Sequence, residues 1–247
     1  MNRSIRFARL VAGLLYAARP AFAAAGSPGG DVLHGGKSGT GSPLQIIILL
    51  TALALLPAVV MSVTPFLRIT VVLHFLRQAL GTQSTPSNQV LVGLSLFLSF
   101  LIMQPIVNEV YATAWRPYEQ GTITSEQAFD AGSKPVKTFL IRFAREKDIR
   151  LMLELTHAPA PARPSDLGLA VLVPAYILSE LKVGFQIGAI LYLPFLIIDL
   201  VVASVTLSVG MVQLPPVMIS APFKILLFVL VDGWNLVVGS LMRSFYS

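Results

Sequence analysis

Residues 183–209 read VGFQIGAILYLPFLIIDLVVASVTLSV, an apolar run that a single acid, Asp199, interrupts. A helix of this length reaches about 40 Å, which exceeds a hydrocarbon core of about 30 Å. The run shows no alternation of polar and apolar residues, so it does not fit a strand of a membrane barrel. Because the backbone in lipid must satisfy its own hydrogen bonds, this stretch predicts a membrane-spanning helix.

Three further runs have the same character. They occupy residues 44–66, 90–107 and 225–242, and only Asp232 interrupts the last of them. Prolines in three of the four runs remove backbone donors and favour kinks. These prolines are Pro57, Pro65, Pro105 and Pro194. The sequence therefore predicts an all-α integral membrane protein with four apolar helical segments.

The composition of the 247-residue chain supports a membrane protein with one polar excursion. Hydrophobic residues make up 55% of the chain and charged residues 12%, against about 25% charged residues in soluble domains. Of the 30 charged residues, 18 lie within residues 109–182. The chain has no cysteine, which excludes disulfides, thiolate metal sites and a cysteine nucleophile. Four of the positive charges lie in the first 19 residues, so the net charge of +6 does not indicate a nucleic-acid partner.

The N-terminus is typical of a secretory signal. A basic start, a nine-residue apolar core and the exit Ala21-Phe22-Ala23 predict a cleavable signal peptide over residues 1–23. An uncleaved interfacial segment is the alternative. The Gly- and Ser-rich residues 24–43 predict a flexible linker.

Charge placement predicts the remaining organisation of the chain. Residues 44–107 form a first apolar hairpin, residues 108–182 a polar periplasmic region, and residues 183–247 a second hairpin. The short loops predicted at 67–89 and 210–224 carry basic residues and no acid, which places them on the cytoplasmic side. Their charges, Arg68, Arg77 and Lys224, are most simply interpreted as determinants of topology. Aromatic residues that fit an interfacial belt follow the second segment, namely Tyr111, Trp115 and Tyr118.

The polar region itself has helical periodicity. Val136, Phe139, Leu140 and Phe143 repeat at spacings of three and four residues, and the pattern slips near Lys147. Residues 126–156 therefore fit either one helix or two. Three prolines in residues 157–166 then end the helical pattern. A packing or assembly role explains this region better than a catalytic one.

Three motifs are similar to those of a known protein family. PAYILSELKVGFQIG (174–188), PFLIIDLVVASV (194–205) and PFKILLFVLVDGW (222–234) resemble the FliP family, subunits of the flagellar type III protein export apparatus. The resemblance runs from about residue 43 to residue 247. It implies that the apolar segments are kinked hairpins, largely lifted out of the bilayer plane and packed against other subunits.

The resemblance also implies a function. Several copies would form a pentamer-like homo-oligomeric ring with FliR and FliQ, with FlhA and FlhB nearby. The ring would pass unfolded flagellar export substrates across the bacterial inner membrane, at the flagellar basal body. Such a subunit is structural and not an enzyme.

The turn between the last two segments is the pore constriction that the resemblance implies. Here it contains Met211, Val212 and Gln213, of which only Met211 keeps the methionine typical of the family. Methionine suits a seal because it is apolar and re-packs around varied surfaces. Gln213 would hydrate a ring, so either it faces away or other subunits complete the seal. An ordinary interhelical turn is the alternative interpretation.

Two acids inside apolar segments need an explanation, because an unpaired carboxylate there is costly. Asp199 and Asp232 are interpreted either as buried, hydrogen-bonded or paired acids that fix subunit packing or as part of a proton-linked step. The second interpretation keeps open a small proton-coupled transporter or ion channel. Gly184 and Gly188 form a small-xxx-small pair, which indicates either close helix packing or chance.

The remaining polar residues indicate no catalytic, cofactor or metal site. Glu180 and Lys182 allow a charge pairing across subunits. His34, His74 and His157 lack the spacing of metal ligands. An intramembrane enzyme would need two acids that meet in one cavity. No cofactor is predicted.

Overall fold

The computed structural model describes residues 41–82, 84–159, 161, 163–210 and 215–246. The predicted signal peptide, most of the predicted linker, and Met211, Val212 and Gln213 lie outside the described residues. The chain divides into two compact units, Met1–Leu50 and Thr51–Ser247.

Within the described ranges the chain forms helices and no strand, which confirms the predicted all-α fold. A π-helical turn at Tyr111–Trp115 joins Asn88–Val110 to Arg116–Glu119, so that Asn88–Glu119 forms one helix of 32 residues. In chain order the helices are α1 (Gly41–Ser62), α2 (Phe66–Ala79), α3 (Asn88–Val110), α4 (Arg116–Glu119), α5 (Ser125–Phe143), α6 (Glu146–Thr156), α7 (Leu169–Ser208), α8 (Pro216–Leu230) and α9 (Gly233–Tyr246).

The apolar segments take two forms. In the part of the chain that the structure describes, Asn88–Glu119 and α7 are long and apolar enough to cross a membrane. Two other pairs are bent, by 69° between Ile46–Ser62 and α2, and by 66° between α8 and α9. If each bent pair counts as one span, the number of spans rises to four.

The core of the larger unit lies where α2 packs against the first half of α7. Ile69, Val72, Leu73 and Leu76 are all buried, and their spacing places them on one face of α2. The prediction of a loop over residues 67–89 is therefore wrong for α2. Arg68 and Arg77 resemble the charges of a loop. Arg68 can lie inside a packed helix because it has a buried partner, Glu180.

The second predicted short loop is also partly wrong. α8 begins at Pro216, so Lys224 lies in a helix and not in a turn. The fourth apolar segment is broken after Leu230, because Asp232 adopts a left-handed φ of 51° before α9 begins. A residue in that conformation cannot continue a right-handed helix.

Residues 126–156 fall into two helices, α5 and α6, as one of the two interpretations expected. A capping box starts α5: Thr124 Oγ1 accepts from the Gln127 amide, and Gln127 Oε1 accepts from the Thr124 amide. Extended backbone at Ala144 and Arg145 separates α5 from α6. α7 begins at Leu169, before the predicted polar region ends, and its charged residues Glu180 and Lys182 have partners on other helices.

Candidate functional site

The helices that flank the expected constriction are described, although Met211, Val212 and Gln213 are not. α7 ends at Ser208, and Gly210 follows with a φ of +80°, a conformation that glycine adopts without strain. α8 then begins at Pro216. The role of Met211, Val212 and Gln213 in a constriction stays a prediction.

Asp199 has two polar partners on α8. Lys224 Nζ lies 2.5 Å from Asp199 Oδ2, and Ser220 Oγ donates to Asp199 Oδ1 over 2.5 Å. Ser220 and Lys224 are one helical turn apart, so both face α7. The lysine side chain is 1% exposed and the aspartate side chain 18%. Asp199 is therefore paired within its own chain, and its role in subunit packing stays a prediction.

Arg68 on α2 and Glu180 on α7 form a second buried pair. The guanidinium makes two hydrogen bonds to the two carboxylate oxygens, and Arg68 Nη1 donates to Ser244 Oγ over 3.2 Å. The side chains are 4% and 0% exposed. The guanidinium carbon also lies 4.0 Å from the ring centroid of Phe245, a cation–π contact. This cluster ties α2, α7 and α9 together.

A third polar cluster joins α6 to α7. Ser179 Oγ donates to Asp148 Oδ2 over 2.7 Å, and Lys182 Nζ pairs with Asp148 Oδ1. The Arg145 amide donates to Ser179 Oγ over 2.9 Å, and Arg145 Nη2 donates to Gln186 Oε1 over 2.6 Å. Burial raises the pKa of Asp148, but the hydrogen bonds and charges of its partners outweigh it, so the net pKa lies below the ordinary 3.8.

The Asp148 cluster predicts a loss of stability in acid. A carboxyl whose folded pKa is lowered stabilises the fold above its unfolded pKa of 3.8 and loses that contribution as the pH falls through the folded value. We expect Asp148→Asn to lower the free energy of unfolding by about 1.5–3 kcal/mol at neutral pH. The free energy of unfolding should fall less between pH 6 and pH 3 in the variant than in the unsubstituted protein. Asp166→Asn, in an exposed pair with Arg163, is the control. If Asp148→Asn and Asp166→Asn respond equally to pH, Asp148 is not the source of the acid sensitivity.

Gly184 and Gly188 lie on α7 where α2 approaches most closely. A Cβ atom at Gly184 would lie 3.2 Å from Val71 Cβ, and one at Gly188 would lie 2.6 Å from the ring of Phe75. The Phe75 ring also makes an edge-to-face contact with Phe185, with centroids 5.5 Å apart. Both glycines therefore sit in a close helix contact within the chain, which favours the packing interpretation.

We expect Gly188→Ala to lower the free energy of unfolding by about 1–3 kcal/mol, because the added methyl group displaces the Phe75 ring. Gly93→Ala is the matched control, since a Cβ at that helical glycine meets no atom within 4 Å. That change should be neutral or stabilising by up to about 1 kcal/mol. Denaturant unfolding of both purified variants checks the difference. Equal stabilities would show that the close contact is unimportant.

Asp232 lies at a helix start and is exposed in the single chain. Asn235 Nδ2 donates to Asp232 Oδ2 over 3.2 Å, and the Leu236 amide donates to the Asp232 carbonyl over 3.2 Å. A carboxylate at a helix N-terminus is favoured by the helix dipole. Asp232 is therefore not a buried acid within one chain, and its functional role stays a prediction.

The sequence did not predict that these charged residues form three clusters within one chain. Arg68 and Lys224 were taken for topology charges and Glu180 for a residue that pairs with another subunit, whereas all three have partners in the same chain. One signal was available. Lys224 is a lone base and Asp199 a lone acid in apolar helices, and such charges are most stable when they pair. In the described part of the chain, no group of three His, Asp or Glu side chains could hold a metal ion.

Known proteins are similar to this chain in sequence. Three relatives carry the name "Flagellar biosynthetic protein FliP". The one from Pectobacterium carotovorum subsp. carotovorum is 50% identical over 214 residues, covering 87% of this chain and 83% of the relative. The one from Bacillus subtilis (strain 168) is 48% identical, covering 83% and 92%. The one from Caulobacter vibrioides is 43% identical, covering 96% and 89%.

The sequence profile of the FliP family matches residues 49–241. The matched range contains all of α2 to α8 and the three polar clusters apart from Ser244 and Phe245. The resemblance noted in the three apolar motifs is thereby confirmed. The chain belongs to the FliP family.

Proposed function

We propose that this FliP-family protein is a structural, pore-forming subunit of the flagellar type III protein export gate, and that it has no enzymatic activity. Family membership and the apolar helices support a membrane component of flagellum biogenesis and protein transport. In this proposal several copies form a ring with FliR and FliQ, with FlhA and FlhB nearby. Unfolded flagellar subunits pass through the ring across the inner membrane, at the basal body.

The length of α7 is the observation that supports assembly most directly. Its 40 residues extend about 60 Å, twice the hydrocarbon thickness of a bilayer. A helix of this length cannot lie wholly within the hydrocarbon as a simple perpendicular crossing. Part of it must lie outside the membrane, where exposed apolar side chains need cover from other protein surfaces.

The distribution of burial along α7 shows where that cover is needed. Most of its buried residues lie in its first half, against α2 and α6, whereas only 11% of its most apolar window is buried within the chain. Large side chains such as Ile197, Leu200 and Val205 are more than half exposed. α8 and α9 carry similar exposed apolar residues, including Leu226 and Leu230. We infer that neighbouring copies and partner subunits cover these faces.

Purification distinguishes this proposal from the transporter alternative. We expect the detergent-extracted protein, alone or expressed with FliR and FliQ, to form a ring with a central passage that imaging resolves. A solitary monomer that moves a small solute would favour the transporter. Asp199 pairs with Lys224 on α8, whereas Asp232 accepts a hydrogen bond from Asn235 on α9, so the two acids have separate partners.

The proposed seal gives a separate prediction. If Met211 and Val212 line the narrowest point, shortening residues 211–213 should open the closed gate to small ions. We expect cells that express this deletion to show an increased ion leak, measured as loss of membrane potential or as ion-dependent growth arrest. Deleting residues 158–160, in the region between α6 and α7, is the control and should leave the barrier intact. An unchanged barrier after the first deletion would remove the assignment.

A further inference from the structure

The turn between α2 and α3 approaches the start of α8. Gly81 lies in this turn with a φ of +74°, a left-handed conformation that glycine adopts without strain. A Cβ atom built on Gly81 would lie 3.6 Å from Ala221 Cβ and 3.7 Å from Val217 Cγ1. Val217 and Ala221 are one helical turn apart, so they lie on one face of α8. The space before that face has room for a methyl group, whereas a longer side chain that points at α8 would overlap it.

α8 is held from a second direction by α7. Ser220 and Lys224 both bind Asp199. Ser220 comes directly before Ala221 in the chain, so the two side chains point about 100° apart around the helix axis. The first turns of α8 therefore lie in a corner between α7 and the α2–α3 turn. A helix in such a corner cannot shift toward either wall without steric overlap.

Hydrogen bonds make the α2–α3 turn stiff. Arg77 Nη1 donates to Asn88 Oδ1 over 2.6 Å and to the Pro86 carbonyl over 3.3 Å, which ties the end of α2 to the start of α3. Thr82 Oγ1 donates to the Arg77 carbonyl over 3.2 Å. The side chain of Leu80 is buried in the core. The sequence predicts a topology charge at Arg77, and these bonds give the same residue a structural role.

The start of α8 is joined stiffly to the residues before it. α8 begins at Pro216, and Pro215 has a φ of −60°. Because a proline ring fixes φ near about −65°, two consecutive prolines leave the backbone little freedom to absorb a movement. Gln213, the last residue of the proposed constriction, precedes Pro216 by three positions. A displacement of α8 is therefore passed on to the constriction residues.

We propose that the α2–α3 turn is a fixed brace, which sets the position of the first turns of α8 and thereby of the constriction that precedes them. The inference rests on the proposed function, because it gives the brace a role in closing the gate. Gly81 and Arg77 are positioning residues. Gly81 lets the turn lie close to α8, and Arg77 keeps the turn rigid.

Substitutions at Gly81 test the brace in cells that assemble the gate. Gly81→Leu should displace α8 and raise the ion leak several-fold, measured as loss of membrane potential, while the ring still forms. Gly81→Ala carries similar backbone strain but fits the space, so its leak should match that of the unsubstituted protein. Gly121→Leu controls for strain, since Gly121 has a φ of +68° and a Cβ there meets no atom within 4 Å. A Gly81→Leu ring that stays sealed would overturn the proposal.

A cysteine pair tests the same approach without adding bulk. The chain has no cysteine of its own, and the Cβ separation of 3.6 Å expected for Gly81→Cys/Ala221→Cys lies within the range of about 3.5–4.5 Å found in disulfides. We expect oxidation to cross-link most of the protein in membranes, as mass spectrometry of its fragments would show. Secretion and the ion barrier should remain as they were before oxidation.

Two results of the cysteine experiment would overturn the brace. The first is a cross-linked fraction no higher than that of the reference pair Gly121→Cys/Ala221→Cys. The second is secretion that stops on oxidation and returns on reduction, because α8 would then have to leave the turn during export.

The deletion of residues 211–213 separates a failure of the brace from a failure of the proposed function. If the deletion leaks ions and the Gly81→Leu ring does not, the brace is wrong and the constriction stands. If neither leaks, the constriction assignment fails, and the role of the brace in closing the gate fails with it.

Discussion

Glu180→Ala is expected to lower the apparent free energy of unfolding by about 3–5 kcal/mol, one of the two largest effects expected of any single substitution in the chain. The change leaves the Arg68 guanidinium, 4% exposed, without its carboxylate between α2 and α7. The Phe245 ring and Ser244 hydroxyl that remain beside it supply neither a full charge nor a bidentate acceptor. Denaturant unfolding in detergent, followed by circular dichroism, measures the loss.

A second arginine–glutamate pair provides the matched control. Glu146 and Arg150 form an ion pair on α6, with side chains 77% and 70% exposed. Because water screens and solvates an exposed pair, Glu146→Ala should change the free energy of unfolding by only about 0–1 kcal/mol. The comparison holds the chemistry of the pair constant and varies its burial. Similar losses in both variants would contradict the buried-pair assignment.

The double variant Arg68→Met/Glu180→Met tests whether the loss comes from an unpaired charge. Two methionines of similar length fill the same space without any charge to desolvate. We expect this protein to recover most of the stability that Glu180→Ala loses. If it is no more stable than the single variant, the pair contributes through its directed hydrogen bonds rather than by neutralising a buried charge.

The sequence was sufficient to predict the apolar helices, because a long run without charges has few alternatives to a helix in lipid. It failed at α2, where Arg68 and Arg77 resembled the basic loop of a membrane hairpin. The buried face at Ile69, Val72 and Leu73 was already visible at helical spacing. The partner of Arg68 was not visible, since Glu180 lies 112 residues away in the chain.

The bends between helices show a different limit of prediction. A proline predicts where a kink is allowed, yet α7 continues as one helix through Pro174 and Pro194. The sharp break before α9 occurs instead at Asp232, whose left-handed backbone no composition rule indicated. The packing around each position decides whether the helix bends there. At Asp232, Phe228 contacts Trp234 across the break.

The second large effect is expected at Asp199. Asp199→Asn removes the carboxylate from a lysine that is 1% exposed, so the ammonium is left buried and unpaired. We expect a loss of about 3–5 kcal/mol in the apparent free energy of unfolding, together with loss of the ring that we propose. Lys224→Met should cost less, because the Asp199 side chain is less deeply buried than the lysine, at 18% against 1% exposed, and keeps the Ser220 hydroxyl as a donor. Unfolding in detergent and size-exclusion chromatography of the extracted complex measure both effects.

The double variant Asp199→Asn/Lys224→Met separates packing from proton coupling. It contains no charge at the pair, and Ser220 still has an amide oxygen as its acceptor. If the pair only fixes α8 on α7, the double variant should regain the ring and, with it, motility and flagellin secretion. If Asp199 carries a proton, the ring should return while secretion stays lost. We expect both to return, because the Asp199 carboxylate is held between an ammonium and a hydroxyl, each at 2.5 Å, and this arrangement fixes α8 against α7.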